Sequence, residues 1–160
     1  MGGGRDINEA LSRSISSTWR TEQGQYFERI EVFPPEKADR VVGHFEPSHY
    51  PPAVSNPRIE LRIRVNGDLN LAYVEEWSGA DWRCRWDRHE NAHNSYDHFH
   101  VPPTVSKEDA VDVEYRDPPF GVVQVAFAFV EDRVGDLWEG ETTYPSSYRF
   151  DWEYGPDIRP

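Results

Sequence analysis

The sequence predicts an α+β fold: an antiparallel β-sheet meander with an N-terminal helix and a long helix, about residues 119–138, packed on one face. Three features carry that expectation. Over residues 58–65, Ile59, Leu61, Ile63 and Val65 alternate with Arg58, Glu60, Arg62 and Arg64, the period of a strand with one buried face. Asn66-Gly67 follows at once, a dipeptide suited to the tight turn of a hairpin. Farther on, Val123, Phe127, Val130, Val134 and Leu137 are spaced four, three, four and three apart, a helical stripe.

Taken in order, residues 1–5 read as a flexible tail. A helix should start at Asp6, which can cap it, and place Ile7, Leu11 and Ile15 on one side before fading near residues 16–18. Residues 26–33 and 40–45 are strand-like, separated by Pro34-Pro35, which cannot lie inside a central strand. Residues 46–57 form a proline-rich loop. After the hairpin turn, residues 69–77 return as a strand, and residues 78–81 turn again. Trp82, Cys84 and Trp86 then alternate with Arg83, Arg85 and Asp87, completing a three-stranded meander.

The stretch that follows has no periodicity and stops at Pro102-Pro103, so it reads as a loop. A short strand fits residues 111–115. Residues 119–138 are rich in β-branched and aromatic side chains, which suits a strand. Their length without a turn and Pro119 at the first position favour a helix. At the end, Tyr148, Phe150, Trp152 and Tyr154 alternate with Arg149, Asp151 and Glu153, an expected edge strand. No internal repeat is visible, and residues 1–160 read as a single domain.

Composition narrows the classes. Hydrophobic residues make up only 37%, but six Trp, eight Tyr and eight Phe can bury much area from few positions, so a packed core is expected. Net charge is −12, and all but Lys37 and Lys107 of the 17 basic residues are arginine. Such a surface suits a salt-loaded cytoplasm, where carboxylates hold water and salt screens their repulsion. One cysteine, Cys84, excludes an internal disulfide and any multi-cysteine zinc site. No apolar run is long enough to span a bilayer and there is no signal-peptide core, so a soluble cytoplasmic chain is expected.

The chemistry concentrates in one place. Four of six histidines, His89, His93, His98 and His100, fall in the aperiodic stretch; His44 and His49 read as surface or packing residues. His98-Phe99-His100 puts two imidazoles on one side of an extended segment, a spacing that suits a metal, with His93, His89 or Asp97 as a third ligand. Two histidines at a phosphodiester can equally serve as base and acid without a metal, if a 2′-hydroxyl is the nucleophile. Arg83, Arg85 or Arg88 would then meet the phosphate. Cys84 is in phase with Trp82 and Trp86 and belongs to the core. A purely structural loop organised by Asp87, Asn91 and Asn94 is the plain alternative. Arg62, Arg64, Arg83 and Arg85 would make a basic stripe if they share the exposed face, unless Glu75 and Glu76 pair with them across strands.

The order of a strand hairpin, Cys84-Arg85-Trp86-Asp87, a polar histidine-bearing loop and Asp97-His98-Phe99-His100-Val101 resembles the TumE-like toxin family, small proteins encoded beside a DNA-binding antitoxin. The positions that match are Trp86, Asp87, His93, His98, His100 and Val101, within a family-like core of about residues 58–138. Arg88-His89-Glu90 stands where the family usually has Asn-Ala-Pro, and the first fifty residues and the last strand have no counterpart. The resemblance implies a toxin of a toxin–antitoxin pair, acting in the cytoplasm with RNA as substrate and neutralised by an antitoxin protein. The leading expectation is a metal-independent ribonuclease needing no cofactor. His98 and His100 would be its acid–base pair with His93 beside them; Asp87 would orient an imidazole, and Arg85 or Arg88 would steady the phosphate. The alternative is a non-catalytic module that binds a protein, or zinc or another divalent metal, through His98, His100 and His93.

Overall fold

The chain pairs its strands in the order in which it makes them. The computed structural model describes residues 6–92 and 94–140. Helix α1 (Glu9–Glu22) leads into β1 (Phe27–Phe33), β2 (Arg40–Phe45), β3 (Ser55–Ile63), β4 (Leu69–Trp77), β5 (Ala80–Arg88), β6 (Asp97–His100) and β7 (Val111–Asp112); α2 (Phe120–Glu139) follows. The seven strands form one sheet in that order, each antiparallel to the next. Antiparallel neighbours need only short connections. Asn66-Gly67 and Ser78-Gly79 supply two of them, with both glycines at positive φ. The α+β expectation holds, with both helices on the apolar face. The edge strand expected over residues 148–154 lies outside the described residues, as does His93.

Helix α1 departs from its expected ends. Asn8, not Asp6, caps it, accepting from the Leu11 N–H at 3.1 Å. Ile7 instead bridges to Arg64, and the Asn8 N–H donates to the Ile63 carbonyl at 2.8 Å, so the chain enters the helix tied to the end of β3. Nor does the helix fade near residue 16: it runs to Glu22 because Ile15, Ser16 and Trp19 are buried against the sheet. Burying Trp19 outweighs the weak propensity of the serines and threonines around it.

The strands show why one face is core. Ile59, Leu61 and Ile63 of β3, Leu69, Leu71 and Tyr73 of β4, and Trp82, Cys84 and Trp86 of β5 all turn inward and are fully buried. Helix α2 covers them through Phe129, whose ring packs on Tyr73, Trp82 and Trp86 at 5.7, 6.3 and 5.3 Å between centroids. The helical stripe read from sequence is rotated slightly in the structure. Val123, Val130 and Leu137 are buried as expected, but Ala126, Phe129 and Arg133 lie deepest, and Phe127 and Val134 sit at its margin. An arginine can occupy that stripe because Glu75 of β4 turns inward to meet it: Arg133 Nε and a terminal nitrogen reach the Glu75 carboxylate at 2.8 and 2.9 Å.

Close approach fixes the far edge of the sheet. Gly43 of β2 lies under the Phe27 ring, where a Cβ would come within 2.4 Å of a ring carbon. That leaves Phe27 free to stack on Phe45 and Trp19. The opposite face of the sheet carries no helix among the described residues, and it presents Arg58, Glu60, Arg62, Asn70, Ala72, Arg83, Arg85, Asp87, His98 and His100.

Candidate functional site: a histidine–aspartate cluster beside an arginine cleft

The cluster follows from alternation. On β5, Trp82, Cys84 and Trp86 turn to the core, so Arg83, Arg85 and Asp87 turn outward. The aperiodic stretch is not all loop: residues 97–100 form β6, and Phe99 packs inward on Trp86 at 5.2 Å, which sends His98 and His100 outward. Pairing then sets His98 opposite Asp87, His100 opposite Arg85, and Asn70 of β4 opposite Asp87 on its other side. Tyr115 secures β6 by donating its hydroxyl to the His98 carbonyl and its N–H to Asp97. The connection before β6 is organised by its asparagines and serine. Asn91 accepts from the Asn94 N–H at 2.7 Å, and the Ser95 N–H reaches Asp112 at 2.8 Å.

Asp87 is the centre. It lies on the outer face yet is fully buried, covered by its own partners. Arg85 Nε donates to both carboxylate oxygens at 2.8 Å, and Asn70 Nδ2 donates to Oδ1 at 2.9 Å. Three imidazole Nε2 atoms approach Oδ2: His100 at 3.1 Å, His89 at 3.4 Å and His98 at 3.7 Å. Two of these rings are oriented from behind. His98 Nδ1 is 3.1 Å from the Ser95 carbonyl, and His89 Nδ1 is 3.0 Å from the Glu90 carbonyl. A carbonyl only accepts, so Nδ1 carries the hydrogen and, in the neutral ring, Nε2 carries a lone pair aimed at Asp87.

Burial pushes the Asp87 carboxyl up, but the His100 hydrogen bond, the Arg85 charge and Asn70 outweigh it and hold the group down at about 2. Burial lowers His98 from its ordinary value; Asp87 opposes this, while His100 and His89 add to it.

The expected residues divide cleanly. His98, His100, Asp87 and Arg85 come together. Arg88 does not: alternation turns it to the other face, where it lies 3.6 Å from Asp97 and over the Tyr96 ring. Asp97, one candidate third metal ligand, is engaged with Tyr115 and Arg88; the carboxylate beside the histidines is Asp87. Cys84 is fully buried, and burial pushes its thiol well up, which excludes it as a nucleophile. His44 pairs with Glu31 at 2.9 Å, a packing role. Sequence reasoning missed Asn70 and offered His89 only as one possible third metal ligand. The two-residue turn at Ser78-Gly79 pairs Trp77 with Ala80 and thereby Asn70 with Asp87, a signal that was available.

Next to the cluster, and sharing Arg85 and Asn70 with it, lies an open cleft of about 400 Å³ lined by Arg40, Glu60, Leu61, Arg62, Ala72 and Arg83. Arg40 meets Glu60 at 3.4 Å and Arg62 meets Asp39 at 3.1 Å. Arg83 Nε is buried and has no hydrogen-bond partner among the described residues. The cross-strand pairing expected with Glu75 and Glu76 goes elsewhere: Glu76 binds Arg58 at 2.7 Å, and Glu75 faces the core. Of the expected stripe, Arg64 lies outside the cleft, beside Ile7, and Arg40 takes its place. Four guanidinium groups stand around one opening on a chain of net charge −12, three of them paired with Glu60, Asp39 and Asp87.

The sequence profile of the family described as Toxin TumE matches residues 27–113, more than half of the chain, from β1 to the end of β7. The match therefore begins well before residue 58 and takes in the first two strands, while both helices lie outside it. No curated protein and no solved structure matches. No described helix is long and apolar enough to cross a membrane.

Proposed function

Because the chain belongs to the TumE toxin family, we propose that it is a toxin that cleaves RNA, held by its backbone in the arginine cleft beside the Asp87 cluster. The observation that carries this reading is the cleft itself. Arg40, Arg62, Arg83 and Arg85 converge where an otherwise acidic surface would repel a polyanion. Arg85 joins the two halves, binding Asp87 through Nε while lining the cleft, and would stabilise charge building on a phosphate.

Proton transfer falls to His89 in this reading. The His98 and His100 side chains are 2% and 6% exposed and turned to Asp87, whereas His89 is 34% exposed. An imidazole must reach the proton it moves. His89, turning Nε2 from Asp87 to the substrate, takes the proton of a 2′-hydroxyl, the oxygen attacks phosphorus, and the bond to the 5′-oxygen breaks. That oxygen then takes a proton from solvent. Family membership implies an antitoxin partner, and the acidic surface outside the cleft suits a basic region of such a protein.

The test is RNA cleavage by protein freed of any partner. The His89→Ala variant should bind RNA and fail to cut it. An Arg62→Gln, Arg83→Gln double variant should bind more weakly at every sequence, with the salt slope of binding reduced by roughly 0.7 for each arginine removed. Wild-type protein that neither binds nor cuts RNA would sink the reading.

A further inference from the structure

We infer that Asp87, His98 and His100 form a binding site for a divalent first-row metal ion, zinc being the best-matched probe. The inference concerns the same place on the molecule as the ribonuclease reading but does not depend on RNA being the substrate.

The spacing is the first argument. Each of the three residues offers one ligand atom, and all three atoms lie within 4.8 Å of one another. Ligands held about 2.0–2.1 Å from a tetrahedral ion stand about 3.3–3.4 Å apart. The Nε2 atoms of His100 and His98 stand 3.1 and 3.7 Å from Asp87 Oδ2, on either side of that edge.

Orientation is the second. Of the ligands, His98 spends its Nδ1 hydrogen on a backbone carbonyl, which directs a lone pair at the carboxylate, as the neighbouring His89 also does; His100 hydrogen-bonds Asp87 through Nε2 and would release that hydrogen on binding an ion. Lone pairs facing an anion repel it. A cation between them turns that repulsion into bonds. An Nδ1–H bound to a carbonyl is the arrangement that fixes ring and tautomer in metal-ligating histidines, and ligating carboxylates are themselves held by hydrogen bonds, as Arg85 and Asn70 hold Asp87.

The ligand set is the third. Two imidazoles and one carboxylate, without thiolate, suit zinc or a neighbouring first-row ion and leave a coordination position open. The three ligands are buried; His89, outside the set but against the same oxygen, is about a third exposed, and a bound water or substrate oxygen would enter past it. All three ligands lie on two paired strands whose inner faces are pinned by Trp86 and Phe99, so the set is built on rigid elements rather than on loops.

The experiment uses full-length protein stripped with a chelator and titrated with zinc by calorimetry and with cobalt(II) by visible absorption. One ion per chain is expected, with the intense d–d bands of a four- or five-coordinate cobalt site. His98→Ala, His100→Ala and the near-isosteric Asp87→Asn should each weaken zinc at least 100-fold, with circular dichroism confirming that the fold survives. If a histidine variant unfolds, Asp87→Asn and the wild-type cobalt spectrum still decide. Wild-type zinc affinity no better than that of Asp87→Asn, or a cobalt spectrum that stays that of the hydrated ion, would overturn the site. Metal binding by a protein that leaves RNA uncut upholds the site and overturns the ribonuclease. RNA cleavage by a protein that binds no metal does the reverse.

Discussion

Glu75 and Asp87 are both carboxylates with no exposed surface, on adjacent strands, yet they are buried in opposite ways. Glu75 faces the core and is surrounded by donors: Arg133 forks onto both oxygens, Tyr73 donates its hydroxyl at 2.8 Å, and Trp77 donates its indole N–H at 3.0 Å. Arg133 in turn lies over the Trp82 ring, 3.7 Å from its centroid. Every neighbour compensates the charge, so the pair has no capacity left for a ligand and its effect is to seat α2 on β4. Asp87 faces outward and is only half surrounded that way. Arg85 and Asn70 donate to it and His100 hydrogen-bonds its second oxygen, while His98 and His89 present nitrogens whose hydrogens are used elsewhere. Burial alone does not distinguish these two carboxylates; the hydrogen inventory of their neighbours does.

That contrast can be broken most severely at the inner pair. Arg133→Met leaves the Glu75 charge buried and unpaired, and should lower stability by about 3–5 kcal/mol in urea denaturation. A Glu75→Leu, Arg133→Leu double replacement should recover most of the loss, because neither charge is then stranded. Phe99→Ala should cost a similar 3–5 kcal/mol by emptying the space against Trp86. Unlike the Arg133 change, it should also weaken metal binding in calorimetry, since it loosens β6 without touching a ligand.

Smaller effects sharpen the comparison at the outer site. Asp87→Asn should cost about 1–3 kcal/mol in metal-free protein, the range for a buried hydrogen-bonding group stripped of its best partners. Wild-type protein should gain about 2.7 kcal/mol from zinc at one hundred times its dissociation constant, and the variant nothing, read as the shift in thermal midpoint. Arg62→Gln should leave stability within about 0.5 kcal/mol, since Arg62 and its partner Asp39 form a half-exposed ion pair, while reducing RNA retention on a filter.

Much of this arrangement is legible in the residues alone. Strict alternation in β3 and β5 puts Ile59, Leu61, Trp82, Cys84 and Trp86 inside and Arg62, Arg83, Arg85 and Asp87 outside, and the same period puts His98 and His100 on one face. Where the local pattern misleads, a distant contact overrides it. The helix stripe shifts because Arg133 finds Glu75, 58 residues away. Helix α1 runs on because Trp19 finds the sheet, and Asp97 is drawn off by Tyr115.

The sequence by itself determined the periods: which residues alternate, where the Asn66-Gly67 turn must reverse the chain, and that the histidines crowd the end of one strand. These are local matters, settled by backbone geometry and by which side chains leave water. The register was decided only in the tertiary structure. A single step of slip between β5 and β6 would send His98 and His100 to the other face and separate them from Asp87. What fixes that register is Phe99 against Trp86 on the inner side, so the site on one face of the sheet is held in place by the core on the other.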